Sequence, residues 1–159
     1  MLRVRKLLLS YSPHLFFLRF WNQLIDLGLT EYQRALDIQK TLVKKRLDDS
    51  VTDTLLLLEH PHVITLGRQT KPGDVLDNSI PIVEIDRGGS ATYHGPGQLI
   101  GYVIIDLRRK GISVPTLITK IHESLIRTLS ELDITFHKDL TNSVVVPDNY
   151  TLIFEIEQS

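Results

Sequence analysis

The 159-residue sequence contains no cysteine. Disulfides, thiolate-bound metals and a cysteine nucleophile are therefore excluded together. It also lacks a surplus of charge of either sign, with 18 Lys and Arg against 19 Asp and Glu. No overall positive field exists to grip a nucleic acid backbone or an anionic lipid surface, and no nucleic acid partner is expected. A run of the roughly 20 apolar residues that cross a bilayer is missing too. The stretch LLLSYSPHLFFLRFW is broken by Ser, Pro, His and Arg, so no membrane span is expected. Repeats, linkers and low-complexity segments are likewise absent from the sequence.

What is present suits one domain, which at this length buries about 70% of the surface exposed by its unfolded chain. The opening MLRVRKLLLSYSPHLFFLRFWNQL carries Arg3, Arg5, Lys6 and Arg19, with no acidic residue before Asp26. That composition is typical of a mitochondrial targeting segment; the alternative is a basic start to a first strand or helix. On the targeting reading, residues 1–18 are the targeting segment, residues 19–159 form the domain, and the protein is mitochondrial.

From Thr30, TEYQRALDIQKTLVKKRLDD opens with a Thr-x-x-Gln capping-box pattern and places Tyr32, Ala35, Leu36, Leu42, Val43 and Leu47 on one helical face. TLLLLEH (54–60), VITLG (63–67), IPIVEID (80–86) and LIGYVIIDL (99–107) read as strands. The polar loop RQTKPGDVLDNS (68–79) is long enough to be a mobile surface segment. RRKGIS turns the chain into a second helix carrying Leu117, Ile118, Ile121, Leu125, Leu129 and Leu132, with Pro115 in its first turn. SVVVPDNYTLIFEIEQS reads as a hairpin with a Pro-Asp-Asn turn. The order of strand, helix, strands, helix and hairpin predicts an α+β fold, a mainly antiparallel sheet with helices packed on it.

Between two of these strands lies RGGSATYHGPGQ (87–98), with four glycines and a proline in twelve residues. Glycine permits positive φ and close approach to the main chain, so the loop is either a tight corner or a cradle whose N–H groups converge on an oxygen atom. Arg87, Tyr93 and His94 tilt the reading toward a binding site. His60-Pro61-His62 places two histidines close together, but a strand-end turn accounts for them and no third ligand is spaced nearby, so no metal site is expected. His122 reads as a surface residue, and His137 and Lys138 as solvated side chains in a polar turn.

RGGSATYHGPGQLIGYVIIDL resembles the signature of the lipoyl(octanoyl) transferases, and LEHPHVITLGRQ with LGLTEYQRALDIQ is similar to the N-terminal portion of that family. The resemblance covers residues 22–141. The adenylating lipoate ligases share a glycine-rich loop but usually continue with a Tyr-His-Asp type of motif, whereas here Tyr93-His94 runs into Gly95-Pro96-Gly97-Gln98. The resemblance implies a biotin/lipoate ligase-like fold and transfer of an octanoyl group from acyl carrier protein to a lysine of a lipoyl domain. Octanoyl-acyl carrier protein and lipoyl-domain proteins would be the partners, and no cofactor is implied because aminolysis of a thioester is downhill. The segment Arg87, Gly88, Gly89, Ser90, Ala91, Thr92, Tyr93 and His94 would line the acyl-chain site. Arg68 and Lys71 would face the carrier protein, or else be ordinary loop charges.

The family's chemistry is implied to rest on a lysine after a short hairpin and a cysteine in a Pro-Cys-Gly context. Asn149, Tyr150 and Thr151 stand where the lysine pair would be, Lys138 is the last lysine, and cysteine is missing. The sequence therefore reads as a fold incomplete at the C-terminus, with no catalytic residue assigned and little activity alone. Loss of a nucleophile that acts with its base costs on the order of 10⁴ to 10⁶ in rate. A non-catalytic acyl or carrier-protein binding module is the alternative. An ATP-dependent lipoate ligase, or slow direct transfer with His94 as general base, ranks lower.

Overall fold

A computed structural model describes residues 22–77 and 79–131 and the strands Phe136–Asp139, Val144–Pro147 and Thr151–Ile156. The expected targeting segment over residues 1–18 lies outside the described residues. Strand β1 (Gln23–Leu29) leads into helix α1 (Tyr32–Leu47), followed by β2 (Thr54–Glu59), β3 (Val63–Leu66), β4 (Ile82–Glu84), β5 (Thr92–His94) and β6 (Gln98–Ile104). A short helix α2 (Leu107–Lys110) precedes α3 (Val114–Glu131), and β7 (Phe136–Asp139), β8 (Val144–Pro147) and β9 (Thr151–Ile156) follow.

The strands form a four-stranded sheet in the order β1-β2-β6-β9, a three-stranded sheet β4-β3-β5 and the pair β7-β8. Leu55, Leu56, Leu57 and Leu58 are each at most 1% exposed, so β2 is covered on both faces, as its unbroken apolar run requires. Ala35 and Leu42 of α1 pack with Leu56, Leu58, Ile100, Tyr102 and Ile104 as one core cluster. Each fully buried leucine or isoleucine there contributes about 1.5–3 kcal/mol. On α3, Leu117, Ile121 and Leu125 are buried, as the helical spacing predicts, and Pro115 sits where its missing N–H costs nothing.

The α+β class is as expected, with a more even mixture of strand directions than a mainly antiparallel sheet. β1 with β2, β3 with β4 and β6 with β9 run parallel, while β2 with β6, β3 with β5 and β7 with β8 run antiparallel. The helix between β1 and β2 is a crossover that lets adjacent strands run in one direction. The expected C-terminal hairpin is also rearranged, because β8 pairs with β7, and β9 joins β6 in the main sheet. His137 and Lys138 accordingly fall within β7 rather than in a turn.

The capping box does not form. Glu31 occupies the N-cap without a side-chain bond, because Thr30 gives its hydroxyl to Leu27 O (2.9 Å) and its N–H to Glu59 O (2.8 Å). Leu47 is 66% exposed, and Gln39 takes its place on the buried face of α1. The far end of α1 is tied down by Asp53, which accepts from Arg46 Nε at 2.7 Å, pairs with Lys110 Nζ at 3.2 Å and accepts from Asp106 N at 3.3 Å. Burial pushes this carboxyl toward protonation, but the hydrogen bonds from Arg46, Asp106 and Lys110 outweigh it and hold its pKa below the usual aspartate value.

Candidate functional site

The glycine-rich segment divides into two structures with different purposes. In its second half, Gln98 N donates to Gly95 O at 3.1 Å, with Pro96 and Gly97 at the two central positions and Gly97 at φ 92°. This is a type II turn, which needs positive φ at its third residue and favours proline at its second. The N–H of Gly95 is taken by Gln98 Oε1 at 3.0 Å and that of Gly97 by Glu59 Oε2 at 3.1 Å. The Gly-Pro-Gly-Gln part is therefore a corner joining β5 to β6.

The first half is organised by Arg87. Its Nη2 donates to Thr92 Oγ1 (2.6 Å) and Thr65 Oγ1 (2.9 Å), and its Nη1 to Gly88 O (2.9 Å). One guanidinium thus spans the loop, β3 and β5, a use for which its forked, planar donors are suited. The end of β3 closes on the same loop through Arg68 N to Arg87 O (2.9 Å) and Gln69 N to Gly89 O (3.0 Å). Gly67 lies so close that a Cβ there would strike Gly89 O and come within 3.0 Å of Gly88 O.

Ser90 donates to the carboxylate of Asp74, which also accepts from Lys71 N at 2.9 Å. The Ser90 hydroxyl first, and then the Lys71 N–H, holds the Asp74 carboxyl below its ordinary pKa. The loop expected to be mobile is thus fastened to the glycine segment at three points. Two open concavities lie along it, one of about 610 Å³ over Leu66, Val75, Ile82 and Ile85, and one of about 730 Å³ between Lys71, Asp74 and Ser90. Arg68 and Lys71 border both. Arg68 pairs with Asp86 at 3.4 Å in full solvent, an arrangement of small energetic weight.

Beyond Ala91, which is half-buried, the chain enters β5, whose alternation separates its three residues. Thr92 takes the Arg87 bond. Tyr93 is 41% exposed, stacks on His62 with ring centroids 6.0 Å apart, and has its hydroxyl 2.6 Å from His62 Nδ1. His94 is fully buried, 6.2 Å from the ring of Tyr32 and 5.7 Å from that of His60. The structure therefore joins Arg87, Gly88, Gly89 and Thr92 as one unit, sends Ser90 to Asp74, and divides Tyr93 and His94 between two environments.

His60, expected in a strand-end turn, lies in the core. It is fully buried, with Nδ1 2.6 Å from Thr30 O and Nε2 2.9 Å from the Tyr102 hydroxyl. A signal was available: His60 directly follows an unbroken buried strand and precedes a proline, a position from which an imidazole points back into the core. His122 is half-buried on α3. Among the described residues, no three His, Cys, Asp or Glu side chains gather as metal ligands, and no helix is long and apolar enough to cross a membrane.

Comparison with known proteins covers this whole region. The family described as "Lipoyl protein ligase A/B catalytic domain" matches residues 31–150. The "Octanoyltransferase" of Syntrophobacter fumaroxidans is 42% identical over 118 residues, covering 70% of this chain and 52% of that protein. Those of Alkaliphilus metalliredigens (39% over 130 residues, 77% of this chain and 58% of the relative) and Corynebacterium diphtheriae (43% over 104 residues, 65% and 41%) agree. The chain spans about half the length of these curated relatives. With its glycine segment, its β3 strand and its first helix all inside the matched region, the chain belongs to the lipoyl protein ligase A/B catalytic domain family.

Proposed function

We propose that this chain is the acyl-binding portion of a mitochondrial octanoyltransferase of protein lipoylation. The reaction of the whole protein would take octanoyl from the thioester of acyl carrier protein to a lysine amine of a lipoyl domain. The C–S bond breaks, the C–N bond of an amide forms, and the thiol leaves with the proton given up by the amine. The observation that carries this reading is the Arg87 clamp, which holds Gly88, Thr65 and Thr92 while Gln69 N holds Gly89 O, inside a region 42% identical to an octanoyltransferase. A loop held this way is pre-organised for a ligand, and the ordering cost is met before binding. Arg87, Gly88, Gly89, Ser90, Ala91, Thr92, Tyr93 and His94 remain the residues assigned to the acyl site and its walls.

The sequence supplies no thiol to carry an acyl intermediate and no lysine beyond Lys138. The 159-residue chain is therefore proposed to bind octanoyl thioester without transferring it at an enzymatic rate. The test incubates the purified chain with octanoyl-acyl carrier protein and a lipoyl domain and follows intact masses, with binding measured in parallel. Binding without a mass gain on the lipoyl domain is expected. Transfer at enzymatic rates would overturn the inactivity, and absence of binding would overturn the acyl site.

A further inference from the structure

Four buried rings from four separate segments meet beside the end of the glycine segment: Tyr32 at the start of α1, His60 between β2 and β3, His94 at the end of β5, and Tyr102 in β6. His60 touches the other three, with centroids 5.1 Å from Tyr32, 5.7 Å from His94 and 6.0 Å from Tyr102. Its contact with His94 is edge-to-face at 69°, one of the arrangements that ring pairs prefer.

The partners of His60 constrain its tautomer. Thr30 O is a carbonyl and can only accept, so at 2.6 Å the Nδ1 atom must carry hydrogen. In the neutral ring Nε2 is then an acceptor, and the Tyr102 hydroxyl at 2.9 Å is placed to donate to it. Thr30 is itself tied to the end of β2, since its N–H bonds Glu59 O at 2.8 Å. His60 is thereby held at both nitrogens, by the carbonyl that follows β1 and by a hydroxyl of β6, and its neutral ring has one orientation and one tautomer.

We infer that His60 is a positioning residue for His94: anchored by Thr30 O and Tyr102, it fixes the plane of the His94 ring against Tyr32 and so shapes the acyl site from behind. This rests on the assignment of His94 to that site. His60 makes no contact with substrate in this scheme; it acts through His94, and Tyr102 acts through His60.

The test uses the full-length 159-residue chain, its His60→Gln and Tyr102→Phe variants, and S-octanoyl-pantetheine as the probe. Long-range proton–nitrogen NMR of the wild-type histidines is expected to show His60 protonated at Nδ1 and bare at Nε2. Both variants should keep the dispersed amide spectrum of a folded chain while the ring signals of His94 shift or broaden. Probe affinity should fall about fivefold in His60→Gln, with no further loss when the same change is made in a His94→Ala background. A His60 protonated at Nε2 alone, or His94 signals and affinity unmoved by His60→Gln, would overturn the inference. Should His60→Gln not fold, Tyr102→Phe, which removes a single hydroxyl, tests the same ring relationship through the His94 signals. A wild-type chain with the expected tautomer and His94 response but no probe binding would overturn the acyl site and leave the ring relationship standing.

Discussion

Arg87 Nη2 lies 2.6 Å from Thr92 Oγ1, so the residue that opens the glycine segment also fastens the strand into which the segment runs. The same guanidinium reaches Thr65 of β3 and Gly88 O, and a lysine cannot reproduce that geometry with a single ammonium. Arg87→Lys is expected to cost about 1–2 kcal/mol in chemical denaturation. Amide exchange should quicken across residues 88–92, and affinity for an octanoyl thioester should drop about tenfold. Unchanged exchange in that segment would show that the clamp does not order it.

Gly67 and Gly88 make a paired test of close approach against conformational freedom. An added Cβ at Gly67 would meet the backbone carbonyls of Gly89 and Gly88, which cannot swing aside as a side chain would, whereas nothing lies within 4 Å of a Cβ at Gly88. Gly67→Ala is expected to lower stability by about 1–3 kcal/mol. Gly88→Ala should be close to neutral. Thermal melts of the two variants beside wild type decide the matter, and equal losses would refute the contact argument.

The parts of this fold that could be read along the sequence are those whose signal is local. TLLLLEH announced β2 within a residue and LIGYVIIDL announced β6 within three, and the spacing of Leu117, Ile121 and Leu125 announced the buried face of α3. β5 was hidden because its three residues sit among glycines, where Thr92-Tyr93-His94 alternation is too short to register against the turn signals around it. Strand pairing was hidden for another reason: β9 pairs with β6 rather than folding back on β8, a choice made by the whole sheet and not by the Pro-Asp-Asn turn. In the site, the sequence pointed to Arg87 and His94 but could not show that one is spent on clamping the loop and the other is buried in the core.

Asp53 should give the domain an acid-sensitive end. Its folded pKa is held below the unfolded value by Arg46, Asp106 and Lys110, so the stability it provides is in place above about pH 4 and is lost as pH falls through the folded pKa. Asp53→Ala removes one of the two carboxylates that Arg46 holds, leaving Asp49 at 2.9 Å, and is expected to cost about 1–3 kcal/mol near neutral pH. The difference from wild type should narrow as the solution is acidified. Urea denaturation across the acid range measures it, and a difference that stays constant would mean that the carboxylate charge plays no part.

Gln39 offers a substitution in the opposite direction. It lies on the buried face of α1, four residues beyond Ala35, and is 1% exposed. Among the described residues neither its Nε2 nor its Oε1 has a hydrogen-bond partner. A buried amide without partners loses the bonds it would make to water, a cost of about 1–3 kcal/mol. Leucine has nearly the same volume and no polar atom to desolvate. Gln39→Leu is therefore expected to raise stability by about 1–2 kcal/mol, read as a higher urea midpoint at unchanged slope. A loss of stability of the same size would show instead that the amide is bonded in the folded protein, and that the face of α1 it occupies is polar by requirement.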